Sequence, residues 1–207
     1  MTRNTFFAVL AAAGLIAGCA TMMSDAEISK KALLAMKSSF RENGQAKLDR
    51  LDQDEVQATC SIYETPDKLP KDVGLRLEQS QFKTLRYPAN GQLLGDWKAG
   101  EATAQSGVGK QYSDDPSKPS GANCYACHQL TPQELAFGTI GPSLLGFGKL
   151  RGSSEEVRKY TYAKIYNPQA FSACSTMPRF GHNGILTEQQ IKDVVALLLD
   201  PESPVNK

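Results

Sequence analysis

Apolar residues fall at helical spacing wherever they cluster along this chain, and strand-like alternation is absent. Ile28, Ala32, Leu33, Met36 and Phe40 recur three and four apart ahead of Asn43-Gly44, so the spacing predicts an amphipathic helix from Ala26 to Arg41. A weaker helix is predicted from Ala46 to Ala58. Pro66, Pro70, Pro88 and Asn90-Gly91 then read as an extended connector rather than a second core. From Gly95 the pattern tightens. Asp96 caps a helix running to about Ser106, whose face carries Trp97, Gly100 and Ala104. Gly100 reads either as a weak point in that helix or as the place where it crosses the last helix closely. Ser153 and Glu156 form a capping box for a helix ending at Asn167-Pro168. Thr187 and Gln190 open a final helix with the stripe Ile191, Val194, Val195 and Leu198, stopped by Asp200-Pro201. The class is all-α, and the mature chain divides near Gly95 into an arm (19–94) and a body (95–207). The amphipathic face of the arm demands burial, on the body or on a partner subunit.

Residues 1–18 change the picture of where the protein works. Arg3, the apolar stretch from Phe6 to Ala17 and the run Leu15-Ile16-Ala17-Gly18-Cys19 make an export signal too short to span a membrane. Small residues directly before a cysteine match the lipoprotein type of signal, in which Cys19 takes a lipid and becomes the mature N-terminus. Simple cleavage after Ala20 is the competing outcome. Either route delivers the chain to the periplasm, where disulfides persist. Among the 207 residues, 23 are basic and 22 acidic, so nothing in the balance of charge recruits nucleic acid, and partners are expected to be proteins.

The chemistry lies in Cys124-Tyr125-Ala126-Cys127-His128. Two cysteines three apart set their sulfurs on one side of a turn, where they form thioethers with two haem vinyl groups, and the adjacent histidine meets the iron; this is the c-type haem attachment spacing. A zinc half-site needs a second ligand pair, which only the scattered Cys60, Cys174 and His182 offer, and a thioredoxin-like pair expects a βαβ setting. Met177, in the loop Ser175-Thr176-Met177-Pro178-Arg179-Phe180-Gly181, is the leading second axial ligand, since a methionine in a polar loop has no packing reason to be there. Cys174 and His182 remain as alternatives, and His182 also reads as a plain surface residue. Gly141-Pro142-Ser143-Leu144 is either an ordinary turn or the source of a carbonyl, that of Pro142, which accepts the Nδ1 hydrogen of His128.

Cysteine parity adds one expectation. With Cys19 lipidated and two thiols on haem, Cys60 and Cys174 are left to pair in an oxidising compartment. That bridge closes a loop of 114 residues around the motif, worth about 4–5 kcal/mol on chain-entropy grounds. A bridge to another subunit, or a free Cys174 near the iron, also fits the count. No nucleophile, carboxylate pair or metal cluster is spaced for catalysis, so no catalytic residue is assigned.

Together, the glycine-bearing first helix, the attachment motif, the Gly-Pro-x-Leu turn, the Met loop and the closing helix resemble the class I cytochrome c fold over Gly95 to Asp200. The resemblance implies His128 and Met177 as axial ligands, Cys124 and Cys127 as thioether donors, and Pro142 as acceptor for His128. One departure is the long insertion from Gly107 to Asn123 between first helix and motif. The segments Gly95-Asp96-Trp97-Lys98-Ala99-Gly100-Glu101, Asn123 to His128 and Tyr162 through Met177 to Asp200 are more closely similar to SoxX. Pro70-Lys71-Asp72-Val73 and Tyr87-Pro88 extend that likeness into the arm. SoxX is the small cytochrome family of the SoxAX complex of thiosulfate oxidation. That likeness implies a heterodimer with SoxA, the carrier SoxYZ as the substrate of the complex, and a downstream cytochrome c as acceptor. In that family the catalytic cysteine belongs to SoxA. A free-standing periplasmic electron shuttle is the alternative.

Overall fold

The computed structural model describes residues 23–63 and 66–207; the signal segment and Cys19 lie outside them. The described residues fall into two compact units. The first ends at Arg41 and contains α1 (Asp25–Ser39), and the second runs from Glu42 to Lys207. Ser24 opens α1 with a capping box closed by Glu27. Helix α1 buries none of its residues, and Ile28, Leu33 and Leu34 stand exposed along it, with Phe40 just beyond its end.

The second unit contains α2 (Glu55–Ile62), α3 (Lys71–Phe82), α4 (Trp97–Gln105), α5 (Phe147–Arg151), α6 (Glu155–Tyr166) and α7 (Glu188–Leu199). Among the described residues there is no strand, only one isolated bridge between Asn43 and Ala46. The body is the all-helical class I cytochrome c fold. Its centre is α7, in which every residue from Ile191 to Leu199 is buried. Helix α4 crosses α7 at Gly100, where a Cβ would overlap the Asp193 carbonyl and stand 3.0 Å from the Val194 nitrogen. The buried Asp193 carboxylate accepts from the Asp96 amide at 2.9 Å and from Gln189 at 2.8 Å, locking the start of α4 to α7. Asn206 closes the other end. Its side-chain amide donates to the carbonyls of Leu198 (3.1 Å) and Asp200 (2.9 Å), while its oxygen accepts from the Gly148 amide at 2.8 Å.

Three expectations need correction. The single helix from Ala46 to Ala58 is a short 3-10 turn, Leu48–Leu51, followed by α2, because Asp54 and Gln57 form a new capping box that restarts the helix. The stretch read as a connector contains α3 and has its own small core, in which Val56, Leu77 and Ala173 are buried against Cys60, Leu69, Val73 and Cys174. Pro70 does not break α3, since it occupies the N-cap position, where no intrahelical N–H is required. Finally, α6 is capped one residue later than expected, by Ser154, whose hydroxyl accepts from the Val157 amide and bonds Glu156 at 2.8 Å. Ser153 instead receives the Arg158 guanidinium at 3.1 Å.

Residues 42–94 therefore pack on the chain's own body. Cys60 and Cys174 are joined in a disulfide with Cα atoms 5.6 Å apart. Asn167, fully buried, donates to Gln81 at 3.0 Å and Thr84 at 2.9 Å. The Arg179 guanidinium, in the loop before α7, pairs with the carboxylate of Asp54 at the head of α2.

Two outcomes follow from these contacts. Overpacking at a helix crossing costs about 1–3 kcal/mol, against roughly 0.5–1 kcal/mol gained from helix propensity, so Gly100→Ala should lower the denaturation midpoint and Gly100→Val should lower it further. Unchanged midpoints would mean that the helices separate freely. The second outcome concerns acid. Partial burial pushes the Asp54 carboxyl up, but the Gln57 amide and the Arg179 guanidinium outweigh it and hold the group below its ordinary value. Its stabilisation is present above the unfolded value of about 3.9 and disappears as pH falls through the lower folded value. The stability gap between the parent and Asp54→Asn should accordingly be constant near neutrality and shrink below about pH 4, as read by denaturant titration at stepped pH.

Candidate functional site

Asn123 enters the motif in the left-handed region at φ 46°, and Cys124–Ala126 follow as a 3-10 turn. The Cys124 carbonyl accepts from the amides of Cys127 (3.1 Å) and His128 (2.9 Å), so both thiols and the imidazole leave one tight turn. Cys124 and Cys127 are the free thiols among the described residues. Cys124 packs against the main core, and burial pushes its thiol up to about 12.

The chain after the motif folds back along it. Gly138 donates to the Tyr125 carbonyl and Gly141 to that of Cys127, both at 2.9 Å, and Leu144 donates to Gln129 at 2.8 Å. This return lays the Pro142 carbonyl 2.7 Å from His128 Nδ1. With Nδ1 carrying the hydrogen, Nε2 is left as the ring nitrogen with a free lone pair. Gly141 makes the approach sterically feasible: a Cβ there would lie 2.5 Å from Nδ1 and 2.7 Å from Nε2 of the ring. In the sequence Pro142 stands out for its carbonyl and Gly141 only as part of the turn, although a glycine directly before that proline is a visible signal of close approach.

Met177 is half-buried and packs against the same core as Cys124 and Leu144. Cys174 is committed to the bridge with Cys60, which leaves it no free thiolate. His182 is exposed at the surface, where partial desolvation of the ring and then the nearby Arg179 charge hold its pKa below the ordinary value, against the opposing Asp54 charge. Tyr125 is buried, and burial raises its pKa; its hydroxyl faces Thr131 and Gln105 without a hydrogen bond of good geometry. The pairing of Arg179, inside the Met loop, with Asp54 escapes a sequence reading because 125 residues separate them. The Asp54-x-x-Gln57 pattern was the available clue to α2, though not to its partner.

The insertion from Gly107 to Asn123 does not push α4 away from the motif. Its ends meet: Gly121 donates to the Val108 carbonyl (2.6 Å), Asn123 to that of Ser106 (2.8 Å), and Ala122 to that of Thr103 within α4 (2.9 Å). The arm grips the excursion from outside, with Gln45 donating to the Gln111 carbonyl at 2.7 Å and Arg50 to that of Lys110 at 2.9 Å.

The residues present fit a covalently attached haem. Two free thiols and an imidazole held through Nδ1, with Nε2 left open, leave one turn, and a thioether packs on the core that Cys124 also touches. Between the motif and α5 the chain leaves Leu135 at 95% and Ile140 at 75% exposure, apolar surface that the protein itself does not cover.

Comparison with known proteins agrees with this chemistry. The family model "Cytochrome c" matches residues 109–200. A protein of Aquifex aeolicus (strain VF5) described as an uncharacterized lipoprotein is 38% identical over 216 aligned positions that span 100% of both chains. With its haem c covalently bound and electron transfer as its activity, the chain belongs to the c-type cytochromes, in one family with that Aquifex protein.

Proposed function

We propose that this chain is the lipid-anchored, single-haem electron-accepting subunit of a SoxAX-type complex, working outside the cytoplasm. Cys124 and Cys127 would form the thioethers to the haem, and His128 Nε2 and Met177 Sδ would hold its iron. The observation that carries the haem assignment is the 2.7 Å contact between His128 Nδ1 and the Pro142 carbonyl, the oriented imidazole that an axial ligand requires. When bound, haem iron supplies one reversible single-electron step. The Pro142 carbonyl raises the basicity of Nε2 and holds the ring in one tautomer. The Met177 thioether, soft and neutral, favours the ferrous state and raises the potential, which suits an acceptor of electrons. No catalytic residue is assigned to this chain.

Anchoring through Cys19 rests on the apolar run ending in Ala17-Gly18-Cys19 and on the description of the Aquifex relative as a lipoprotein. The SoxAX reading rests on the resemblance of Gly95 to Glu101, the motif, and Tyr162 to Asp200 to SoxX. The exposed apolar residues Ile28, Leu33 and Leu34 of α1 supply a surface for SoxA to cover. In this scheme SoxA holds the catalytic cysteine, thiosulfate is joined oxidatively to a cysteine of SoxYZ, and the electrons pass through this chain to a downstream cytochrome c. One observation favours the alternative, a free-standing shuttle: residues 42–94 pack on their own body, and α1 is the α-helix of the arm that buries none of its residues.

Three measurements decide between these readings. Exported protein should keep its haem through acid-acetone extraction, since thioethers are covalent, and haem recovered in the solvent would remove Cys124 and Cys127 from the assignment. Met177→Ala should abolish the near-red ferric iron–thioether band and lower the midpoint potential, whereas an unchanged spectrum would transfer the ligand role to His182. Stopped-flow mixing should show thiosulfate-dependent haem reduction only when SoxA and SoxYZ are both present, and deletion of 25–39 should weaken SoxA binding without altering the haem spectrum. Equal reduction of the isolated chain, or no binding to SoxA, would leave the shuttle.

A further inference from the structure

Helix α2 is attached at both ends to the loop that carries Met177. At its head, the N-cap residue Asp54 pairs with Arg179, two residues after the methionine. Near its tail, Cys60 is bonded to Cys174, three residues before it. The anchors on the helix are six residues apart, about 9 Å along the axis, and those on the loop are five apart. The stem of the loop is held further by α3: the Ala173 amide donates to Glu78 at 3.2 Å, and Phe171 packs edge-on against Phe82 with ring centroids 6.3 Å apart. Between its anchors the loop has no helix: the Ser175 amide reaches back to the Ser172 carbonyl at 3.0 Å, the Met177 amide donates to the Ser175 hydroxyl at 3.3 Å, and the Met177 side chain rests on the main core. Arg179 is itself buried, at 6% exposure, so its charge depends on Asp54 for compensation.

We propose that α2 is a clamp for the sixth ligand: Asp54–Arg179 and Cys60–Cys174 together position the loop so that Met177 stays on the iron, and they thereby set the potential. This inference rests on Met177 being the axial ligand. A thioether is neutral and binds ferric iron weakly, so whether it remains bound depends on how little freedom its loop regains on release. With both ends pinned to one helix, that freedom is small. Asp54, Arg179, Cys60 and Cys174 act through Met177 and are positioning residues.

The test is displacement of Met177 from the ferric protein by imidazole, followed in the near-red band, on folded holoprotein. In both Asp54→Asn and the double variant Cys60→Ser/Cys174→Ser, the imidazole midpoint should fall about tenfold, equivalent to about 1.4 kcal/mol, and the midpoint potential should fall with it. Arg179→Lys, which keeps the cation, should stay closer to the parent than Arg179→Ala does. Ser203→Ala is the control, because it removes a buried hydrogen bond to the Leu197 carbonyl (2.6 Å) far along the chain from the loop. It should lower global stability while leaving the imidazole midpoint in place. Anchor variants that lose stability but keep the parental imidazole midpoint and potential would reduce α2 to a structural brace and overturn the clamp. A Met177→Ala protein that retains the near-red band would overturn both the ligand assignment and the clamp built on it, a result distinguishable from the first.

Discussion

The contact between the His128 ring and the Pro142 carbonyl sets the terms for most of the body. An imidazole on a short turn rotates freely unless something fixes it, and here the fixing group is a backbone carbonyl 14 residues downstream. To bring that carbonyl within 2.7 Å, the chain must double back, which it does through the amides of Gly138 and Gly141, and it must pass the ring with no side chain at Gly141. The return leads straight into α5, whose first amide, that of Phe147, donates to the Leu144 carbonyl at 3.0 Å.

A second constraint works at the crossing of α4 and α7. Every residue of α7 from Ile191 to Leu199 is buried, Lys192 and Asp193 included, so the helix has to be surrounded, and α4 approaches it closely enough only because Gly100 lets the Asp193 backbone through. The insertion after α4 leaves this arrangement intact because its two ends are hydrogen-bonded to each other. The arm covers the insertion through Gln45 and Arg50 and the Met loop through Asp54 and Cys60. Neither the insertion nor the Met loop has a helix of its own, so in both places the arm supplies order from outside.

The all-helical class, α4, α6 and α7 and the haem motif were legible because they depend on local patterns: caps, apolar stripes and a five-residue signature. The Thr187–Gln190 capping box is where the spacing put it, and the α6 cap is displaced by one serine because the hydroxyls of Ser153 and Ser154 are equally suited to accept a helix amide. Helix α3 was missed for a physical reason, since it buries only Leu77 fully and its stripe is too thin to stand out beside three prolines. The ion pair of Arg179 with Asp54 carried no local signal at all. Tertiary contacts between distant polar residues leave no periodicity, and they are what distinguishes a packed arm from an extended one.

The Cys60–Cys174 bridge has a consequence for biogenesis. Leaving Cys19 aside, the exported chain presents four cysteines to an oxidising compartment, and of the six ways to join two of them, five consume Cys124 or Cys127. Under the proposed attachment, each of those five blocks maturation. The two closest thiols in sequence are the very pair that must stay reduced, while the native bridge joins the most distant pair and encloses the attachment motif. The assembly machinery therefore has to treat cysteines of one chain in opposite ways, oxidising one pair while keeping the other reduced until haem arrives. The yield of holoprotein in a foreign host will depend on that division as much as on haem supply.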